Sequence, residues 1–222
     1  LHLSIRRQRQ MCIRDRSGEP QEFDALILSV GVRGNIEGLD LPGVGHEAGF
    51  ITVDATQQTS VNGIYAIGDV AGAPCLAHKA SHEAIIAVES IAGMNVHALN
   101  KQRVPGCTYS HPQVASIGLT EAQAAEEGAI RVGKFPLIAN GKAIAINDSE
   151  GLVKTVFDRE TGALLGAHMV GPGVTEMIQG FAIAMGLETT EQELLETVFP
   201  HPTLSEAMHE AVLSAFDRTI NL

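Results

Sequence analysis

The sequence has no tryptophan, and aromatic residues make up only 4% of its 222 residues. That excludes an aromatic stacking platform for single-stranded nucleic acid. Positive charge is scarce as well: the net charge is −11. An acidic body repels phosphate backbones, so no nucleic-acid partner is expected. No apolar run approaches the ~18 residues that span a bilayer, so no membrane partner is expected either. Cysteine is rare: Cys12, Cys75 and Cys107 are odd in number, and the nearest two lie 32 residues apart. Without a CxxC or any other close pair, neither a disulfide framework nor a zinc site is indicated, and a reducing compartment is the simplest setting.

What is present suits a folded protein. Apolar residues make up 45% and charged residues 18% of the chain. That composition supports a real core, in one large or two small domains. The charge is uneven. Residues 1–17 hold five arginines against one aspartate, a net of +4, which leaves −15 on the other 205. This Arg-rich opening is composed like a transit peptide, yet the residues after it read as the interior of a fold. "MCIRDRS" resembles a translated adapter scar. Segment 1–17 is therefore expected to be non-native.

Along the chain, the continuous apolar run from Ala25 to Val30 predicts a buried strand. Short strands are expected over 50–67, the last from Ile64 to Ile67, ending at Gly68–Asp69. A Gly/Pro loop then leads into a helix. Ala84, Ile85, Val88 and Ile91 form its expected apolar face, and Gly93 its stop. Beyond the boundary near residues 100–107 the texture changes. "CTYSHPQVASIGL" predicts strands, and Thr120 with Gln123 a capping box. "LVKTVFDRETGALLGAHMVG" predicts a hairpin turning at Asp158 to Gly162. A helix closed by Gly186 follows, then one capped by Thr190 and Glu193, and a last one over 203–216. Strands followed by helices predict an α+β unit.

Two places carry chemistry. An aspartate at the end of a strand, before a helix, lies at the sheet edge where ligands bind in layered α/β folds. The Asp69 carboxylate there can accept hydrogen bonds from sugar or ribityl hydroxyls, or merely cap a loop. His78 and His82 stand i, i+4 on the helix, but no third ligand and no HExxH accompany them, so no metal is expected. The second place is "PHPTLSEAMHE". Pro202 disfavours a helical His201, and Thr203 with Glu206 has capping-box spacing. Alternatively Glu206 orients His201 as a general base. The spacing leaves both readings open.

Together, "GIYAIGDVAGAPCLAHKASHE", "YSHPQVASIGLTEAQA", "GAHMVGPGVTEMIQGFAIAMGLETTEQEL" and "HPTLSEAMHEAVL" resemble, in order, the carboxyl-terminal half of the dihydrolipoamide dehydrogenases. These are flavin-dependent pyridine nucleotide–disulfide oxidoreductases. The resemblance runs from about residue 19 to the end. It implies an α/β plus α+β architecture. Residues 18–48 would end an NAD-binding domain, 49–104 form the second segment of the FAD-binding domain, and 105–222 form an α+β dimerisation domain. It implies FAD and NAD as cofactors. Asp69 would bind FAD, Cys75, Leu76, Ala77 and His78 would meet the flavin through backbone, and Gly31 would lie near the nicotinamide nucleotide. "VGVRGN" departs from the commoner G-R-R-P-N there. His201 would be the catalytic base and Glu206 the carboxylate that orients it.

The implied reaction is oxidation of protein-bound dihydrolipoamide, with electrons passing through FAD to NAD+. The implied partners are a second copy in a homodimer and the lipoyl domains and core of 2-oxo-acid dehydrogenase complexes, or the glycine cleavage system. The compartment would be a bacterial cytoplasm or a mitochondrial matrix. The family's redox cysteine pair, separated by four intervening residues, and both GxGxxG turns are missing from the sequence. The chain is thus expected to be a fragment, inactive alone, with exposed apolar surface on Ala25–Val30 and the flavin side of 64–92. Two other readings remain: a glutathione- or mercuric-reductase type of flavin disulfide reductase, from which "HPTLSEAMHEAV" points away, and a non-enzymatic dimerisation module.

Overall fold

The computed structural model describes residues 11–14, 20–39 and 41–221. Much of segment 1–17 thus lies outside the described residues. Within it, β1 (Met11–Arg14) pairs antiparallel with β2 (Pro20–Phe23). Residues 25–39 then form no strand. This corrects the expectation for Ala25–Val30, whose Ile27 and Val30 are 91% and 84% exposed. A buried strand needs ladder partners on its edges, and no described residue supplies them. The expected apolar exposure of this run is present.

A small first core follows. β3 (His46–Glu47) and β4 (Phe50–Ile51) make a minimal hairpin. Val44, Ile51, Ala66 and Ala71 are buried together. The expected strand from Ile64 to Ile67 is reduced to one bridge, Tyr65 with Gln58. A 3-10 turn, Gly68–Ala71, leads to α1 (Ala77–Ile91). The helix is where the sequence predicts it, but its inner face is not. Lys79, Glu83 and Ala87 are buried, while Ile85, Val88 and Ile91 are more than half exposed. α1 packs on the 3-10 turn, so the residues facing that turn are covered whatever their polarity. Gly93 stops the helix as expected, with φ +75° and a Met94 N–H bond to the Glu89 carbonyl at 2.9 Å.

The second unit is a five-stranded antiparallel sheet. Its strands are β5 (Gly106–Thr108), β6 (Gln113–Gly118), β7 (Ile130–Pro136), β8 (Leu152–Asp158) and β9 (Leu164–Gly171), in spatial order β5-β6-β9-β8-β7. Two short helices interrupt the strands, α2 (Glu121–Glu127) and α3 (Gly141–Ala145). Three follow them: α4 (Val174–Gly186), α5 (Glu191–Glu196) and α6 (Glu206–Ala215). α4 and α6 cover the sheet, and Phe135, Val153, Phe157, Ala167, Phe181 and Ala211 are wholly or almost wholly buried there. The α+β expectation holds, and so does the β8–β9 hairpin.

Both capping boxes form, Thr120 with Gln123 and Thr190 with Glu193. Two helix ends differ from expectation in part. α4 ends at Gly186 as expected, but the left-handed residue that closes it is Glu188, at φ +56°, and the Thr189 N–H bonds to the Ala184 carbonyl at 3.0 Å. The bridge of Thr190 to Ala163 fixes where the chain must turn. α6 begins at Glu206 rather than 203. Farther along it, buried Glu210 accepts bonds from the Ile220 N–H and the Asn221 amide, tying down residues 220–221.

α6 lies unusually close to the sheet at Gly133. A Cβ there would stand 1.8 Å from the Ala211 carbonyl oxygen and 2.7 Å from the Ala215 nitrogen. Thr155 uses the same approach to donate its hydroxyl to Ala211 O at 3.0 Å. Overpacking a core costs ~1–3 kcal/mol, and here the obstacle is backbone. Gly133→Ala is therefore expected to destabilise the chain by at least that much in urea unfolding.

Candidate functional site

Asp69 sits in the 3-10 turn with its side chain exposed. Gly68 before it has φ +76°, and a Cβ there would meet Ala80 Cβ at 3.3 Å. The turn is held from beneath by two charges that the sequence reading did not single out. Lys79 and Glu83 are each 1% exposed. The Lys79 ammonium donates to Gly68 O at 3.1 Å, Gly72 O at 2.9 Å and Glu83 Oε1 at 2.8 Å. Glu83 Oε2 accepts the Gly68 N–H at 2.7 Å. All three ammonium protons are used, and the turn is fastened on both sides of Asp69. The i, i+4 spacing was visible, but an exposed pair on a helix has the same spacing.

The N-terminus of α1 faces the same turn. Its cap residue, Leu76, is extended, and no side-chain oxygen satisfies the first turn. The leading N–H groups and the positive dipole end are open to a ligand oxygen. Cys75 and Leu76 are half-buried, and Ala77 and His78 exposed. The His78 ring bonds through Nε2 to Pro105 O at 2.8 Å, joining α1 to the start of the second unit. Asp69 and residues 75–78 thus form one group. Gly31 stands outside it, in the exposed irregular run, with nothing within 4 Å of where a Cβ would be.

The second group rests on the larger core. His201 Nδ1 lies 2.8 Å from Glu206 Oε1. Glu206 Oε2 accepts the Thr203 N–H at 2.8 Å. The capping box is therefore half formed. Thr203 turns its hydroxyl to Pro200 O at 2.7 Å instead of receiving the Glu206 N–H, and the cap position passes to Ser205. The two readings of Glu206 do not compete, because each uses a different oxygen. The His201 side chain is 78% exposed and that of Glu206 26%. Nε2 of His201 has no hydrogen-bond partner among the described residues. Burial pushes the Glu206 carboxyl up, but the Thr203 N–H and His201 outweigh it and hold the group below its ordinary value.

Known proteins match this chain along most of its length. The description "pyridine nucleotide-disulphide oxidoreductase, dimerisation domain" fits residues 104–212, and "pyridine nucleotide-disulphide oxidoreductase" fits residues 5–84. Dihydrolipoyl dehydrogenase of Zymomonas mobilis is 59% identical over 205 residues, covering 90% of this chain and 44% of the relative. That of Rhizobium etli is 60% identical over 202 residues, covering 89% and 42%. The chain spans less than half the length of these relatives. Among solved structures, LpdA of Mycobacterium tuberculosis superposes with a TM-score of 0.80 at 30% identity, covering 89% of this chain and 44% of that one. The Cu(II) complex of the flavoprotein disulfide reductase RclA from Escherichia coli gives 0.81 at 26% identity, covering 92% and 47%. Among the described residues, no helix is long and apolar enough to cross a membrane.

Breaking a buried ion pair by removing one partner costs ~3–5 kcal/mol, while replacing both with apolar residues costs far less. Lys79→Met alone is expected to raise amide exchange throughout 68–72, and Lys79→Met with Glu83→Leu to restore part of the protection. A second expectation concerns pH. The Glu206 value is lowered by folding, so its contribution is present above the unfolded value and lost as pH falls through the folded one. Acidification below about 4.3, the ordinary glutamate value, should release His201 Nδ1. Ring nitrogen NMR shifts would report it, and an unchanged Nδ1 signal through that range would contradict it.

Proposed function

The chain belongs to the pyridine nucleotide-disulphide oxidoreductases, and we propose that it forms part of a dihydrolipoyl dehydrogenase, contributing one wall of an FAD site and the base that activates the dithiol. The observation that carries this reading is the His201–Glu206 pair. A carboxylate on Nδ1 stabilises the tautomer with its proton there. That leaves the lone pair on Nε2, the exposed nitrogen with no partner among the described residues. Nε2 can then take a proton from a thiol, and Glu206 stabilises the imidazolium that results. The product is a thiolate, the form that attacks a disulfide.

The donor set around α1 suits FAD. Asp69 would accept hydroxyl hydrogen bonds from the sugar or ribityl chain, and the open N–H groups of the first turn of α1 would meet an electron-rich flavin edge. Bound FAD supplies two-electron transfer between a dithiol and NAD+. The Lys79–Glu83 pair keeps the Asp69 turn in place without touching a ligand. Gly31 is assigned to the nicotinamide nucleotide on resemblance alone. The cysteine pair that exchanges with the dithiol would have to lie outside these 222 residues.

The match to a dimerisation domain supports a homodimer in which His201 serves the disulfide of the opposite subunit. Lipoyl domains of 2-oxo-acid dehydrogenase complexes or of the glycine cleavage system would be the substrates. The enzyme would work in a bacterial cytoplasm or a mitochondrial matrix.

The test is His201→Gln in a full-length enzyme carrying this segment. Loss of a positioned general base costs ~10²–10⁴ in turnover, and an exposed ring should leave stability nearly unchanged. Turnover equal to the parent's would overturn the reading and favour a module that only dimerises. The 222-residue chain alone, supplied with FAD, NAD+ and dihydrolipoamide, is expected to produce no NADH.

A further inference from the structure

His201 is exposed and lies on a loop, so what fixes its geometry must come from the loop's anchors. Phe199 and Leu204 pack against the large core on either side. Between them Thr203 is the most heavily bonded residue. Its N–H goes to Glu206 Oε2 and its hydroxyl to Pro200 O, and the hydroxyl also meets Ser205 Oγ at 2.9 Å. Those partners all belong to the loop or to the first residue of α6. The Thr203 carbonyl is different. It accepts from Asn140 Nδ2 at 3.1 Å, across 63 residues of sequence.

Asn140 is only 4% exposed. Its Oδ1 caps α3 by accepting the Ala143 N–H at 2.9 Å, and its own N–H bonds to Leu137 O at 2.9 Å. Serine, threonine and aspartate also serve as caps, and threonine does so at α2 and α5. Among these, asparagine alone carries its donor on a second atom, an amide nitrogen that can reach a separate partner while the oxygen caps the helix. The donor is what the His201 loop uses.

We propose that Asn140 is a positioning residue for His201, acting through the Thr203 peptide and the Glu206 carboxylate. Holding Thr203 O fixes the orientation of that residue, and with it the direction of its N–H. The N–H fixes the rotation of the Glu206 carboxylate through Oε2, which leaves Oε1 aimed at His201 Nδ1. Without the brace the Thr203 unit can turn, the carboxylate loses its second anchor, and the bond to Nδ1 opens for part of the time. The role in chemistry rests on the reading of His201 as the base; the geometry does not.

The test follows the ring-nitrogen tautomer signals of His201 by NMR at one fixed pH in the 222-residue chain, labelled with 15N-histidine. No substrate or flavin is needed, so failure here is distinct from failure of the base reading, which the His201→Gln assay decides. Glu206→Gln marks the position of the signals when the charge is gone. Asn140→Ser keeps a capping oxygen and has no amide to reach Thr203. Its His201 ring-nitrogen tautomer signals are expected to move in the same direction as in Glu206→Gln. His168 is the internal control, because it stands on β9 and its Nε2 bonds to Leu119 O at 2.9 Å. Asn140→Asp, which keeps size and cap but cannot donate, should give the same shift and stands in if the serine variant does not fold. His201 ring-nitrogen signals that overlay the parent's in the folded variant would overturn the proposal. So would an equal movement of His168, which would indicate a general loosening.

Discussion

Glu206 stands on the first turn of α6, and the catalytic reading of the chain depends on how its two oxygens are divided. A carboxylate has two acceptor sites, and a bond to one restricts rotation at the other. Thr203 N–H takes Oε2 and His201 Nδ1 takes Oε1. The helix start and the His201–Glu206 pair are therefore one construction. The position of α6 itself is set by its close contact with β7 and β8, where Gly133 leaves room and Thr155 bonds to Ala211 O.

The Asp69 turn is built on the opposite plan. His201 is held by an exposed, partly solvated pair, whereas the turn is held by two fully buried charges. Burying an ion pair is expensive unless every donor and acceptor is met. Lys79 and Glu83 meet that condition by bonding to the turn itself. Their bonds contribute geometry more than net stability. The turn can carry an exposed Asp69 because its rigidity comes from the other side.

Much of this was legible in the sequence wherever the chemistry is local. Thr120–Gln123, Thr190–Glu193, the turn at Asp158 to Gly162 and the stop at Gly93 each depend on residues at most five apart, and each forms. What failed depended on the choice of neighbours. α1 has the apolar periodicity that Ile85, Val88 and Ile91 announce, yet the face that finds a partner is Lys79, Glu83 and Ala87. Periodicity gives the existence of a face, not what lies against it. The run from Ala25 to Val30 has the composition of an interior strand without strands beside it. Asn140 carried no signal, because its second bond reaches a residue far away in sequence.

The same distinction separates the candidate residues. His201 and Glu206 are five residues apart, and Lys79, Glu83 and the turn they clamp fall within 16. Each group is assembled by one loop and one helix resting on a core described here. The site proposed for Gly31 is of a different kind. A nucleotide at the edge of a sheet is held where several strands end together, and among the described residues no strand brings others to Gly31. That is why Asp69 and His201 stand in bonded surroundings and Gly31 has none: a site held by short-range contacts is complete with its own segment, and one held by a sheet is only as complete as the sheet.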